Sequence, residues 1–169
     1  MAEESQVTLD SSVVAGNEDE ASGSVEVQAA PTFADPKKPD VGGYIWGTGR
    51  RKAAVARVRI KPGKGEFKIN GKAVDVYFTE LRDQGDATVA LKVTKTEGSI
   101  DVYVNTHGGG YMGQAGAVKL GLARALKGYD PTLEPVLREH DLLSRDPRRV
   151  ERKKYGQRGA RRKFQFSKR

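Results

Sequence analysis

Apolar residues recur at two different spacings along the middle of this chain. Between residues 53 and 60, Ala54, Ala56, Val58 and Ile60 fall on one side, and Ala53, Val55, Arg57 and Arg59 on the other. A period of two is that of an extended strand with one buried face, here opposite a partly basic one. Lys61-Pro62-Gly63-Lys64-Gly65 carries turn chemistry, and residues 66–69 resume as a short strand, which predicts a hairpin. Asn70-Gly71 ends it. Val74, Phe78 and Leu81 then recur at i, i+4 and i+7, the spacing of a short helix over residues 72–81.

Alternation returns twice more. Residues 88–94 place Val89, Leu91 and Val93 on one side, and residues 100–105 do the same with Ile100, Val102 and Val104, so two further strands are predicted around the Glu97-Gly98 turn. A stripe of Ala115, Val118, Leu122 and Leu126 marks a helix over residues 113–127, with Gly128 as its stop. Asp130-Pro131 reads as the N-cap and first position of a last short helix to about residue 138. Four strands and two or three helices bury their stripes most simply as an α+β two-layer sandwich, a four-stranded sheet with helices on one face.

Charge divides the chain differently. The total of +8 over 169 residues conceals a net −7 in residues 1–40, +5 in residues 41–144 and +10 in residues 145–169. Residues 1–42 are read as an acidic disordered extension, 43–144 as the globular domain and 145–169 as an extended basic tail. The tail, with twelve Lys or Arg against two acids, has too little apolar surface to offset the entropy of ordering and needs a polyanion to take shape. Aromatics and glycines interleaved with its arginines favour nucleic acid, because guanidinium groups pair with phosphates and rings stack on bases. A solvated tail of no specific use is the plainer alternative. No cysteine is present, no apolar run approaches the ~20 residues of a membrane span, and the acidic N-terminus resembles neither a secretory signal nor a transit peptide. A cytosolic protein without membrane contact is therefore expected.

The candidate chemistry is sparse. Gly108-Gly109-Gly110-Tyr111-Met112-Gly113 matches G-x-G-x-x-G between a predicted strand and a helix, but the wider order of elements offers no second parallel strand ending in a ribose-binding acid. Contact with an RNA phosphate near the helix N-terminus and a purely structural loop are the two competing readings of these glycines. His107 and His140 lack partners for a zinc site, and Ser99, Ser144 and Ser167 lack a base. No catalytic constellation, metal site or cofactor is expected. Two basic clusters remain: Gly47-Thr48-Gly49-Arg50-Arg51-Lys52, leading into the strand with Arg57 and Arg59, and the tail itself. The glycines of the first cluster suggest close approach of a backbone.

Three separated segments now align with one family. GTGRRKAAVARVRIKPGKGEFKINGK (47–72), VNTHGGGYMGQAGAVKLGLARAL (104–126) and LSRDPRRVERKKYGQRGARRKFQFSKR (143–169) closely resemble the universal S-nine family of small-subunit ribosomal proteins in its bacterial form. The resemblance implies the fold of the second domain of ribosomal protein S-five, with a left-handed crossover, and a structural role without catalysis. It also implies the partners: the 3′ major domain of the small-subunit ribosomal RNA, neighbouring proteins of the subunit head, and the anticodon stem-loop of peptidyl-site tRNA. Carried over, Arg50, Arg51, Lys52, Arg57, Arg59, Gly108, Gly109 and Gly110 would contact ribosomal RNA. So would Arg148, Arg149, Arg152, Lys153, Lys154, Arg158, Arg161, Arg162 and Lys163, while Lys168 and Arg169 would reach the tRNA. The chain departs from the family pattern in its acidic residues 1–40 and in Phe164-Gln165-Phe166, where a proline is common. A free single-stranded nucleic-acid-binding module and, more remotely, a nucleotide-binding enzyme are the rival readings.

Overall fold

The structure, a computed structural model, describes residues 35–167. The expected acidic extension lies outside the described residues up to residue 34, as do Lys168 and Arg169. The nine residues of β2 (Ala54–Pro62) pair antiparallel on both edges, with β1 (Ile45–Arg51) and with β5 (Ile100–His107). Its even positions Ala54, Ala56, Val58 and Ile60 are buried to within 1 % of full enclosure, as the alternation requires. A short β3 (Phe67–Ile69) pairs parallel with β5 and antiparallel with the two-residue β4 (Lys72–Ala73). The sheet order is β1-β2-β5-β3-β4.

A parallel β3–β5 pair needs a crossover, and α1 (Val74–Tyr77) and α2 (Leu81–Thr94) supply it. The long α3 (Tyr111–Tyr129) follows β5 and covers β1 and β2 with Ala115, Val118, Leu122 and Leu126, all fully buried. Asp130 caps a 3-10 turn at Pro131–Leu133 by accepting from the Thr132 N–H at 2.9 Å, and α4 (Glu134–Glu139) completes the module. Lys127 Nζ lies 2.8 Å from Glu134 Oε1 and ties the end of α3 to α4. The core joins the inner face of the sheet to α2, α3 and Leu137 of α4.

Five expectations are corrected. The sheet has five strands: the one expected over residues 88–94 is absent, while Lys72–Ala73 and Ile45–Arg51 are added, the latter unmarked because its inward Gly47 and Gly49 leave Ile45 as its one buried apolar residue. Residues 88–94 belong to α2: the buried set there is Ala87, Ala90 and Leu91 at helical spacing, and the alternation of Val89, Leu91 and Val93 is incidental. Thr88 and Thr94 satisfy their hydroxyls by donating to the carbonyls of Gln84 and Ala90, four residues back. The hairpin between residues 53–60 and 66–69 does not form either. The eight residues of β5 offer β2 a far longer ladder than the three of β3, and β5 stands between them. Of the helix expected over residues 72–81, only α1 forms, with Val74 and Phe78 buried and Leu81 83 % exposed at the start of α2. Helix α3 also runs through Gly128 to Tyr129.

The inward glycines of β1 meet the backbone of α3. A Cβ on Gly47 would sit 2.2 Å from the Gly121 carbonyl oxygen, and one on Gly49 only 1.8 Å from that of Ala117. Gly49→Ala is therefore expected to destabilise the module by roughly 1–3 kcal/mol or more through overpacking. Gly85→Ala, in the interior of α2 where a Cβ meets nothing within 4 Å, should instead stabilise by about 0.5–1 kcal/mol. Urea midpoints of the two variants, moving in opposite directions, would check both.

Candidate nucleic-acid interface

Because Gly47 and Gly49 face α3, the intervening residues Trp46, Thr48 and Arg50 face away from it, onto the side of the sheet that no helix among the described residues covers. Strand register aligns them with β2: Trp46 stands opposite Arg59, Thr48 opposite Arg57 and Arg50 opposite Val55. On the other edge of β2, Arg59 is opposite Tyr103, Arg57 opposite Asn105 and Lys61 opposite Asp101. Arg57 and Arg50 are exposed. The Arg59 guanidinium lies 5.1 Å from the Tyr44 ring centroid, 5.6 Å from Tyr103 and 5.9 Å from Trp46, all within cation–π range.

At one end of this face Asp101 clamps the β2–β3 loop. Its Oδ1 accepts from the backbone N–H groups of Lys64, Gly65 and Glu66 at 2.8–3.1 Å, and Lys61 Nζ approaches Oδ2 at 3.8 Å. These bonds, that from Glu66 foremost, hold its carboxyl below the ordinary range. Glu66 is itself lowered by Lys68 and Tyr103, and the Tyr103 hydroxyl, donating to Glu66 Oε2 at 2.7 Å, is raised to about 12.

Arg51 has a different surrounding. It is folded under α3, where its Cδ would lie 2.3 Å from a Cβ on Gly116. One terminal nitrogen donates to the Met112 carbonyl at 3.4 Å and the other to Asp146 at 3.3 Å. Asp146 also receives Arg148, through its backbone N–H at 3.0 Å and its guanidinium at 2.8 Å. With Arg148 bonded to it and Arg51 beside it, the Asp146 carboxyl is held far below its usual value. This clasp fastens the root of the basic arm to the module. Arg50, Arg51, Lys119 and Arg148 line the recess around it, with Asp141 and Asp146.

Of the glycine run, Gly108 and Gly109 have positive φ, and Cβ atoms there would lie 2.7 Å from the Ala53 carbonyl oxygen and 3.1 Å from Ala54. They are required by packing against the start of β2. Gly110 is open and forms the N-cap of α3 without a side-chain cap. Lys52, at φ 52° in the β1–β2 turn, lies exposed at the same end of the sheet. No strand follows α3 among the described residues, so the dinucleotide context is absent there.

Past Arg148 the arm carries no helix or strand up to residue 167. Arg149, Arg152, Lys153, Lys154, Arg162 and Lys163 are exposed. The arm turns back on itself: Arg161 pairs with Glu151 at 2.5 Å, Arg158 N–H donates to the Arg162 carbonyl at 3.0 Å, and the Arg158 guanidinium sits 5.0 Å over the Phe164 ring. Sequence reasoning missed the three rings around Arg59, the Asp101 clamp and the Asp146 clasp. Trp46 and Tyr103 were discoverable only from strand register. Nothing local marks Asp146 among its arginine neighbours. No group of three His, Cys, Asp or Glu among the described residues is placed to hold a metal, and no helix there is long and apolar enough to cross a membrane.

The described residues thus form an α+β module with a cation-bearing open face and a basic arm. Residues 49–169 match the family described as Ribosomal protein S9/S16, and this chain belongs to that family, which is non-enzymatic. It is 54 % identical over 130 residues to small ribosomal subunit protein uS9 of Thermotoga neapolitana, covering 75 % of this chain and 96 % of that protein. The protein of the same name from Thermotoga maritima is 53 % identical over 133 residues, covering 77 % and 98 %. That of Rhodopirellula baltica is 49 % identical over 133 residues, covering 79 % and 97 %.

The depressed carboxyls give a pH test of the module. A carboxylate whose folded pKa lies below its unfolded value contributes stability that is complete above about pH 4–5 and lost as pH falls through the folded value. Asp101 should therefore release the 64–66 amides in acid, and Asp101→Asn should remove that share of the acid sensitivity. Amide exchange at Lys64, Gly65 and Glu66, expressed relative to unstructured rates between about pH 5 and pH 2.5, would check it.

Proposed function

We propose that this protein is a structural constituent of the head of the small ribosomal subunit in the cytoplasm. In this reading it binds the 3′ major domain of the ribosomal RNA by phosphate pairing and touches peptidyl-site tRNA with the tip of its arm. The observation that carries the proposal is family membership over residues 49–169, the same stretch that bears the net positive charge. Relatives at 49–54 % identity carry the name small ribosomal subunit protein. The module supplies position and the arm supplies reach. Exposed Arg149, Arg152, Lys153, Lys154, Arg162 and Lys163 have no ion-pair partner among the described residues and are suited to phosphates. Arg50, Lys52 and Arg57 have the same status on the module, Arg59 is half-buried and equally without an ion-pair partner among the described residues, and Gly110 leaves the N-terminus of α3 open to an anion.

Arg51 and Arg148 would serve the RNA indirectly, by fixing where the arm leaves the module, and Arg158 and Arg161 by shaping the arm. Lys168 and Arg169 are the assigned tRNA contacts, and neighbouring head proteins the assigned protein partners. Contacts made to phosphate rather than to base edges hold tRNA without reading its sequence. A free single-stranded nucleic-acid-binding module is the alternative. Co-sedimentation with the small subunit that survives high salt separates the two.

Deleting Lys168 and Arg169 should leave subunit assembly intact and weaken tRNA retention in the peptidyl site. Filter binding of tRNA to reconstituted subunits reads this directly, and unaltered affinity would remove the tip from the mechanism. Replacing Arg152, Lys153, Lys154, Arg162 and Lys163 by Ala should flatten the dependence of log K on log salt by roughly 0.7–0.9 per lost phosphate contact. A slope identical to that of the parent chain would show that the arm does not pair with phosphates.

A further inference from the structure

The open face of the sheet carries a group the arm does not explain. Arg59 stands in the middle of β2 with three rings around its guanidinium, yet makes no hydrogen bond or ion pair among the described residues. Cation–π contact engages the π faces of the rings and leaves the N–H donors of the guanidinium unspent. Tyr44 and Tyr103 are fixed against each other edge to face at 6.2 Å, Tyr103 is tethered to Glu66, and the Trp46 indole N–H donates to Asp40 at 3.0 Å. The rings are thus positioned independently of Arg59. They hold it in one orientation, so the rotamer entropy of fixing a long cation is already spent.

Charge on this face is one-sided. Arg57, Arg59 and Lys61 alternate along β2, with Arg50 on the neighbouring strand. The carboxylates nearby are engaged, Asp101 by three amides and Lys61, Glu66 by Lys68 and Tyr103, and Asp40 by the Trp46 indole N–H. Alternate residues of a strand are about 6.7 Å apart, a spacing comparable to that of successive phosphates on a nucleic-acid strand. Trp46, 40 % exposed, adds a surface on which a sugar or base can lie.

We propose that this face is a second RNA-binding surface, separate from the arm, in which Tyr44, Trp46 and Tyr103 present the Arg59 guanidinium to the phosphate backbone of ribosomal RNA. The proposal rests on the RNA-binding reading above and adds to it the ring cage and the side of the module that meets RNA. Arg59 is the contact, and Tyr44 and Tyr103 are positioning residues.

Trp46 is the only tryptophan of the chain, so its fluorescence reports on this face alone. The full-length protein is titrated with a transcript of the 3′ major domain, and acrylamide quenching of Trp46 is measured free and bound. Bound RNA should lower the quenching constant at least twofold. Arg59→Ala should weaken binding several-fold and flatten the salt slope by roughly 0.7–0.9, the value of one phosphate contact, while Arg59→Lys should keep the slope. The control is Arg162→Ala with Lys163→Ala, in the arm. If these arm changes weaken binding while Trp46 stays equally quenchable and Arg59→Ala binds as the parent does, the face is not an RNA surface and the arm reading stands. Protection of Trp46 with an unaltered slope in Arg59→Ala would overturn the role of the cage. A parent chain that fails to bind the transcript would overturn both readings together.

Discussion

The contact between the backbone of β1 and the backbone of α3 is the constraint from which the rest of this module follows. Gly47 and Gly49 lie against Ala117, Gly121 and Ala125, and the fit is reciprocal: a Cβ on Gly121 would reach Val58 at 2.8 Å and the Gly49 nitrogen at 3.0 Å. No side chain fits between strand and helix at Gly47 and Gly49, so the side chains that alternate with them, Trp46, Thr48 and Arg50, point the other way. The same closeness carries α3 over Arg51, whose side chain fills the space left by Gly116. One contact thereby divides three consecutive cations into different roles. Arg50 is exposed on the open face, Arg51 is folded beneath a helix, and Lys52 turns at the hairpin tip with positive φ.

This division also shows what was legible in the sequence. The long elements β2, β5 and α3 were readable because each buries large apolar residues at its own period, from Val58 and Ile60 to Leu122 and Leu126. β1 was not, because a strand that packs through glycines leaves only Ile45 as an apolar mark on its inner side. α2 was misread because its buried face is built mainly of Ala87 and Ala90, weak signals beside the β-branched Val89 and Val93. Pairing partners are a tertiary property. The insertion of β5 between β2 and β3 depends on ladder length, which no local window contains.

The basic residues of the candidate site were found by counting charge, and counting cannot separate a cation that binds a partner from one that holds the protein together. The glycines of residues 47–49 invite the same confusion: they do permit a close backbone approach, and the structure shows the approach is made by α3. Gly108 and Gly109 likewise serve the packing against Ala53 and Ala54, which leaves Gly110 as the open position of the run. The rings around Arg59 come from residues 44, 46 and 103, brought together only by the register of β1, β2 and β5.

The energetics of the two basic regions differ accordingly. On the module, Arg59 is held by rings that other contacts fix in place, so its position survives whether or not a partner is bound. Along the arm, the turn is held by the pair Glu151–Arg161, with Arg161 84 % exposed, and by Arg158 over Phe164, itself 55 % exposed. Exposed pairs of this kind are screened by solvent and contribute little, well below what a run of phosphates offers the same guanidinium groups. The Asp146 clasp differs in kind, since its carboxylate joins exposed Arg148 of the arm to the largely covered Arg51 of the module. The arm is thus tied to the module at its root and only to itself along its length. A polyanion can redraw its path without disturbing the module, so a rigid part sets the origin and a compliant part conforms to its partner.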